Sequence, residues 1–159
     1  MWCAGLAIRD GQREMDNKKY KQNMACNIII PIISGAVIYY LISPEVIFVK
    51  WIDGFVGNGL HISGINTNNI ILGFIRNYFL DMLWGYALVF ALFLAIGNNA
   101  ADLIKTFLIA FLFTTAMEIF QITSIAMGTF DVWDIVAMFS AEIIAVFIIK
   151  NILFRRNSK

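Results

Sequence analysis

Tyr78-Phe-Leu-Asp-Met-Leu-Trp-Gly-Tyr-Ala-Leu-Val-Phe-Ala-Leu-Phe-Leu-Ala-Ile96 is an apolar run interrupted by a single charge, Asp81. At a helical rise of about 1.5 Å per residue, such a run covers the roughly 30 Å hydrocarbon core of a bilayer. Three further stretches read the same way: about Cys26 to Ser43, Leu103 to Ser124 and Val132 to Leu153. The first is the shortest. Pro31 is expected near its first turn, where a missing N–H costs little, and Pro44 marks its end. Short turns, Gly97-Asn-Asn-Ala-Ala-Asp102 and Met127-Gly-Thr-Phe-Asp131, join the last three. The expected fold is all-α and integral to the membrane: a bundle of four transmembrane helices plus a short interfacial helix.

Composition agrees with that class. Hydrophobic residues make up 60% of the chain and charged residues 14%, with a mean hydropathy of +0.74. A soluble domain carries about a quarter charged residues. No internal repeat and no nucleic-acid-binding pattern is visible, and the net charge of +1 says little because the basic residues gather at the two ends. Cys3 and Cys26 are too few for a disulfide framework and lack metal-ligand spacing.

The only long connection is 44–76. Within it Ile47, Phe48, Trp51, Ile52 and Phe55 share one side of a helical wheel, opposite Lys50 and Asp53, as in a short helix lying at the interface. Gly57-Asn-Gly-Leu-His-Ile-Ser-Gly64 then reads as loop, with His61 a solvated loop residue. Three segments result: a basic cytoplasmic segment 1–23, a four-span membrane domain 24–153 and a basic cytoplasmic tail 154–159. Met15-Asp-Asn-Lys-Lys-Tyr-Lys21 reads as an ordinary start for a membrane protein, so residues 1–14 are expected to be an upstream extension.

Orientation follows from the basic residues. Arg9, Arg13, Lys18, Lys19 and Lys21 precede the first span, Lys105 sits in the second turn, and Lys150, Arg155, Arg156 and Lys159 close the chain. The outer connections hold only Lys50 and Arg76. The positive-inside rule therefore puts both termini in the cytoplasm of a multi-pass plasma-membrane protein.

Ionisable residues inside spans are costly and are functional candidates by default. Arg76 and Asp81 open the second span, Glu118 and Gln121 end the third, and Asp131 and Asp134 open the fourth, all at the expected outer end. Thr114, Glu118 and Gln121 are spaced as one helical stripe, as are Asn77, Asp81 and Trp84. Asp131, Asp134, Met138 and Glu142 share a face of the fourth span, with Glu142 deeper. If these stripes turn inward they line an outward-opening acidic pocket. Close carboxylates cannot all stay charged without a cation, a shared proton or an amine-bearing ligand. A plainer reading competes: Asp131 and Asp134 suit the first turn of a helix as caps, and Arg76 could pair with Asp81. Phe90, Phe93, Phe111, Phe113 and Met138 read as packing or lipid contacts.

Met117-Glu-Ile-Phe-Gln121 followed by Gly128-Thr-Phe-Asp-Val-Trp-Asp-Ile135 resembles the signature of VanZ-like membrane proteins, a Glu-x-x-Gln ending one helix and an Asp-x-x-Asp opening the next. Arg76-Asn-Tyr-Phe-Leu-Asp81 resembles the preceding helix of short members, and the resemblance covers roughly residues 70–150. It implies a bacterial cell-membrane protein of four to five spans, a family whose founding member confers resistance to the glycopeptide teicoplanin. The matching positions are Glu118, Gln121, Asp131 and Asp134, with Arg76 and Asp81 in support. Gly128, Thr129, Met138 and Ala141 depart from the pattern, making the pocket less basic and less polar.

Three functions are open. The first is a non-enzymatic envelope or antibiotic-tolerance factor whose pocket binds a lipid-linked or amphipathic ligand, such as a cell-wall precursor or a lipoglycopeptide. The second is a membrane enzyme acting on a lipid headgroup through its carboxylates, although no Ser, Cys or His is placed among them as a nucleophile. The third is a small transporter subunit using Glu142 as a relay. Membrane lipids are expected partners; no cofactor, metal or nucleic acid is. The ligand and the oligomeric state are not legible in the sequence.

Overall fold

The structure is a computed structural model describing residues 2–42, 50–51, 54–55, 70–97, 99–122 and 130–157. It contains α1 (Trp2–Ile42), α2 (Ile70–Phe74), a π-helical turn (Ile75–Phe79), α3 (Leu80–Ile96), α4 (Asp102–Gln121) and α5 (Val132–Asn157). Four stretches are long and apolar enough to cross a membrane: Asn17–Leu41, Asn77–Ile96, Asp102–Gln121 and Val132–Arg155.

The way the helices sort their residues fits an architecture that spans a membrane. On α4 the buried line is Leu103, Thr106, Ala110, Thr114 and Glu118. Its outer face carries large apolar side chains, with Ile104 68% and Leu112 66% exposed. Small and hydroxylated residues inside with bulky hydrocarbon outside is the reverse of a water-soluble helix. In lipid there is no hydrophobic gain in burying Leu against Leu, so close approach through small residues decides the interface.

α3 is the hub. It packs most extensively against α5 and α1, and also against α4, whereas α1 and α5 barely meet. The apolar core sits at the end holding the first turns of α4 and the last of α5, built from Met24, Phe90, Phe93, Leu103, Ile149 and Leu153. Phe107 and Phe111 stack on one face of α4 and both meet Phe139 of α5, at 5.7 and 5.2 Å between ring centroids. Of the expected packing aromatics, Phe90 and Phe93 are fully buried and Phe113 faces outward.

Two boundaries differ from the sequence expectation. The first helix does not begin near Cys26 but runs unbroken from Trp2, so Pro31 lies inside it and not in its first turn. A proline there removes the hydrogen bond to the Asn27 carbonyl, a loss that membrane helices tolerate when neighbouring groups compensate. The Asn27 side chain links this turn to its surroundings. Its Nδ2 donates to the Asn23 carbonyl at 2.9 Å, and its Oδ1 accepts the Tyr86 hydroxyl of α3 at 2.6 Å. Tyr86→Phe is expected to lower the stability of the purified protein by about 1 kcal/mol, the scale of an interhelical hydrogen bond in lipid, seen as a reduced thermal midpoint in detergent. An unchanged midpoint would leave the Asn27 contact without energetic weight.

The second boundary is that of the long connection, which ends earlier than expected because helix resumes at Ile70. Of the expected interfacial helix, Lys50, Trp51, Gly54 and Phe55 are described as helical, while Ile47, Phe48, Ile52 and Asp53 lie outside the described residues, as does His61.

Candidate functional site

Three helix ends meet at the end of the bundle away from the apolar core. α3 and α5 begin there and α4 ends there. α3 and α5 run parallel in a constant register: Tyr78 meets Asp131, Asp81 lies within electrostatic reach of Asp134, and Gly85 abuts Met138, each pair 53 residues apart. Gly85 lies at this contact. A Cβ added there would stand 3.4 Å from both the Cβ and the carbonyl oxygen of Met138. This register is what brings the acids of two helices to one depth.

Each sequence-identified side chain then takes a distinct place. Asp131 caps α5. Its Oδ1 accepts the Trp133 N–H at 3.0 Å, and its Oδ2 accepts the Tyr78 hydroxyl at 3.4 Å. One oxygen of Asp131 thus caps the helix start and the other ties it to α3. Glu118 is different. It is only 5% exposed, its Oε1 accepts the Gln121 Nε2 at 3.0 Å, and its Oε2 has no hydrogen-bond partner. Its electrostatic neighbours are Asp134, Asp81 and Asp131. Asp81 and Asp134, both half-buried, lie within electrostatic reach of each other. The structure thus gathers Asp81, Glu118, Gln121, Asp131 and Asp134, from three helices, at one end.

Arg76 stands on the π-helical turn, and its side chain lies outside the described residues. The π turn also undoes one expectation. Asn77, Asp81 and Trp84 do not form an inward stripe, because Asn77 and Trp84 are exposed and only Asp81 turns in. A π turn takes an additional residue per turn, which rotates Asn77 off the face it would share in a regular α-helix.

Glu142 lies about 12 Å deeper than Asp134, eight residues along α5. It is completely buried; its Oε1 accepts the Thr114 hydroxyl at 2.9 Å and its Oε2 has no partner. The Thr114 hydroxyl is also within 3.2 Å of the Ala110 and Phe111 carbonyls. The stripes on α4 and α5 do turn inward, as their spacing suggests. Among the described residues no three His, Cys, Asp or Glu side chains are placed to hold a metal ion.

At the opposite end Lys105 pairs with Asp102 at 3.6 Å, and Asp102 accepts the Asn99 N–H.

No family model, no curated protein and no solved structure matches this chain.

Sequence reading missed two features of the site. Tyr78 reaches Asp131 across the bundle, a contact set by the α3–α5 register and invisible in either helix alone. A lateral groove of about 660 Å³ also opens between α1 and α3, with Asp81 at its edge and Pro31, Gly35, Tyr39, Leu83 and Trp84 among its walls. The available signal was the pair of small residues Gly35 and Ala36 opposite the start of the second span.

Proposed function

We propose that this chain is a bacterial plasma-membrane protein whose acidic end faces outward and binds a lipid-linked or amphipathic ligand, acting as a non-enzymatic envelope or antibiotic-tolerance factor. The observation that carries this reading is the meeting of Asp81, Glu118, Gln121 and Asp134 from three helices at one end, with a buried carboxylate oxygen of Glu118 left without a partner. The basic residues Lys18, Lys19, Lys21, Lys105, Lys150 and Arg155 lie towards the other ends of their helices, which supports cytoplasmic termini. The likeness of Glu118-x-x-Gln121 and Asp131-x-x-Asp134 to VanZ-like membrane proteins supports the same role. Trp51 and Phe55, exposed and in edge-to-face contact at 6.1 Å, support an interfacial helix beside the outer headgroups.

Expression in a susceptible Gram-positive host tests the proposal. The wild-type chain is expected to raise the inhibitory concentration of a lipoglycopeptide several-fold over an empty vector, and Glu118→Ala, produced at the same level, to abolish the rise. Unchanged susceptibility with the wild-type chain, or a Glu118→Ala variant that protects equally, removes this function.

A further inference from the structure

We propose that the ligand is a single-chain amphiphile bearing a protonated amine, which enters sideways from the lipid along the α1–α3 groove and places its ammonium among Asp81, Asp134 and Glu118. This rests on the binding role proposed above and names the chemistry of the ligand.

The groove and the acids are separate features that meet at one residue. The groove, about 660 Å³, is apolar apart from Asp81 and the Tyr39 ring's polar tip. Its rim residues Ile32 and Trp84 are exposed on the outer surface of the bundle, so it is open to the surrounding acyl chains and not only to water. Gly35 widens it, since a Cβ there would approach only Leu83, at 3.8 Å. The volume suits one hydrocarbon chain lying along the last turns of α1. A volume of a few hundred Å³ is the ordinary scale of a small-molecule site.

Asp81, on the groove, lies within electrostatic reach of Asp134, and both lie within electrostatic reach of Glu118. Among the described residues the charged neighbours felt by Asp81, Glu118 and Asp134 are all carboxylates. A cationic headgroup is what this field attracts. An alkylammonium offers three N–H donors on one atom. Of the three acids Asp81 lines the groove and meets the ammonium first, and Asp134 and Glu118, whose buried Oε2 has no partner, add to the negative field behind it. Such charge-assisted bonds are the strong class of hydrogen bond, and they strengthen where water is sparse.

Trp84 on the groove wall supplies the readout. Trp2→Phe, Trp51→Phe and Trp133→Phe together leave it the sole tryptophan of the four in the chain. The probes are dodecyl chains ending in bromine, a fluorescence quencher, and carrying an amine, an alcohol, a carboxylate or a phosphate at the other end, added to the protein in lipid nanodiscs. The amine is expected to quench Trp84 saturably, at a concentration at least about tenfold below that of the other three. Asp81→Asn and Glu118→Gln are each expected to weaken the amine about tenfold and leave the alcohol unchanged, whereas Gly35→Leu, which fills the groove, weakens every probe. If the alcohol, carboxylate or phosphate binds as tightly as the amine, the amine assignment is overturned and an amphiphile site remains. If no probe quenches saturably in the otherwise wild-type chain, the binding role itself falls. The four-probe comparison needs no substitution in the site, so misfolding of a site variant cannot mask the outcome.

Discussion

Gly85→Leu is expected to produce the largest loss of stability of any single substitution considered for this chain. The Gly85 position already stands at contact distance from the Met138 backbone and Cβ. A methyl group fits with little adjustment, so Gly85→Ala should cost less than about 1 kcal/mol. A leucine has nowhere to go, because Met138 is buried and its carbonyl belongs to α5. Forcing α3 from α5 should cost about 1–3 kcal/mol or more, read as a fall in the thermal midpoint in detergent. The consequence reaches beyond stability. The same helix pair aligns Tyr78 with Asp131 and Asp81 with Asp134, so a wedge at Gly85 should also weaken binding at the acidic end. A leucine variant as stable as wild type would show that α3 and α5 do not pack through this glycine.

Glu142→Leu is expected to act in the opposite direction. Glu142 is fully buried, and one of its oxygens meets no donor. Leaving a buried polar group unsatisfied costs about 1–3 kcal/mol, and replacing buried charged groups by apolar ones of similar volume is often stabilising. Thr114 would not be stranded by the change, since its hydroxyl is within reach of the Ala110 and Phe111 carbonyls. The leucine variant should therefore unfold at the same or a higher temperature than the wild type. A clear loss of stability would mean that Glu142 holds a partner in the membrane, and binding assays on the same variant would then identify its side of the bundle.

The contrast between these two positions shows what was legible in the chain and what was not. Four long apolar runs announced the helices, and three of the runs match the observed spans to within a few residues at both ends. The stripes Thr114–Glu118–Gln121 and Asp131–Asp134–Met138–Glu142 were legible too, because a regular α-helix places residues three and four apart on one face. The stripe Asn77–Asp81–Trp84 failed for a local reason. The π turn at Ile75–Phe79 takes Asn77 off that face, while Asp81 and Trp84, both in regular helix, share the lateral groove; nothing in Ile-Arg-Asn-Tyr-Phe distinguishes the turn from ordinary helix. Pro31 misled in a related way. A proline suggests a helix start, but the polar residues before it are themselves helical, so the apolar stretch is only the later part of a longer element.

Hydropathy and periodicity act along one helix, and for that reason the sequence alone determined the all-α class, the four candidate spans and which residues share a face. Contacts between helices depend on relative rotation and register, which no single-helix pattern encodes. Only the tertiary structure decided that α3 and α5 lie in a parallel register with Gly85 against Met138. It likewise set Asp131 to capping α5 while Glu118 keeps an unpartnered oxygen. The groove that joins Asp81 to α1 exists for the same reason: Gly35 and Leu83 stand across from each other only once the two helices have packed.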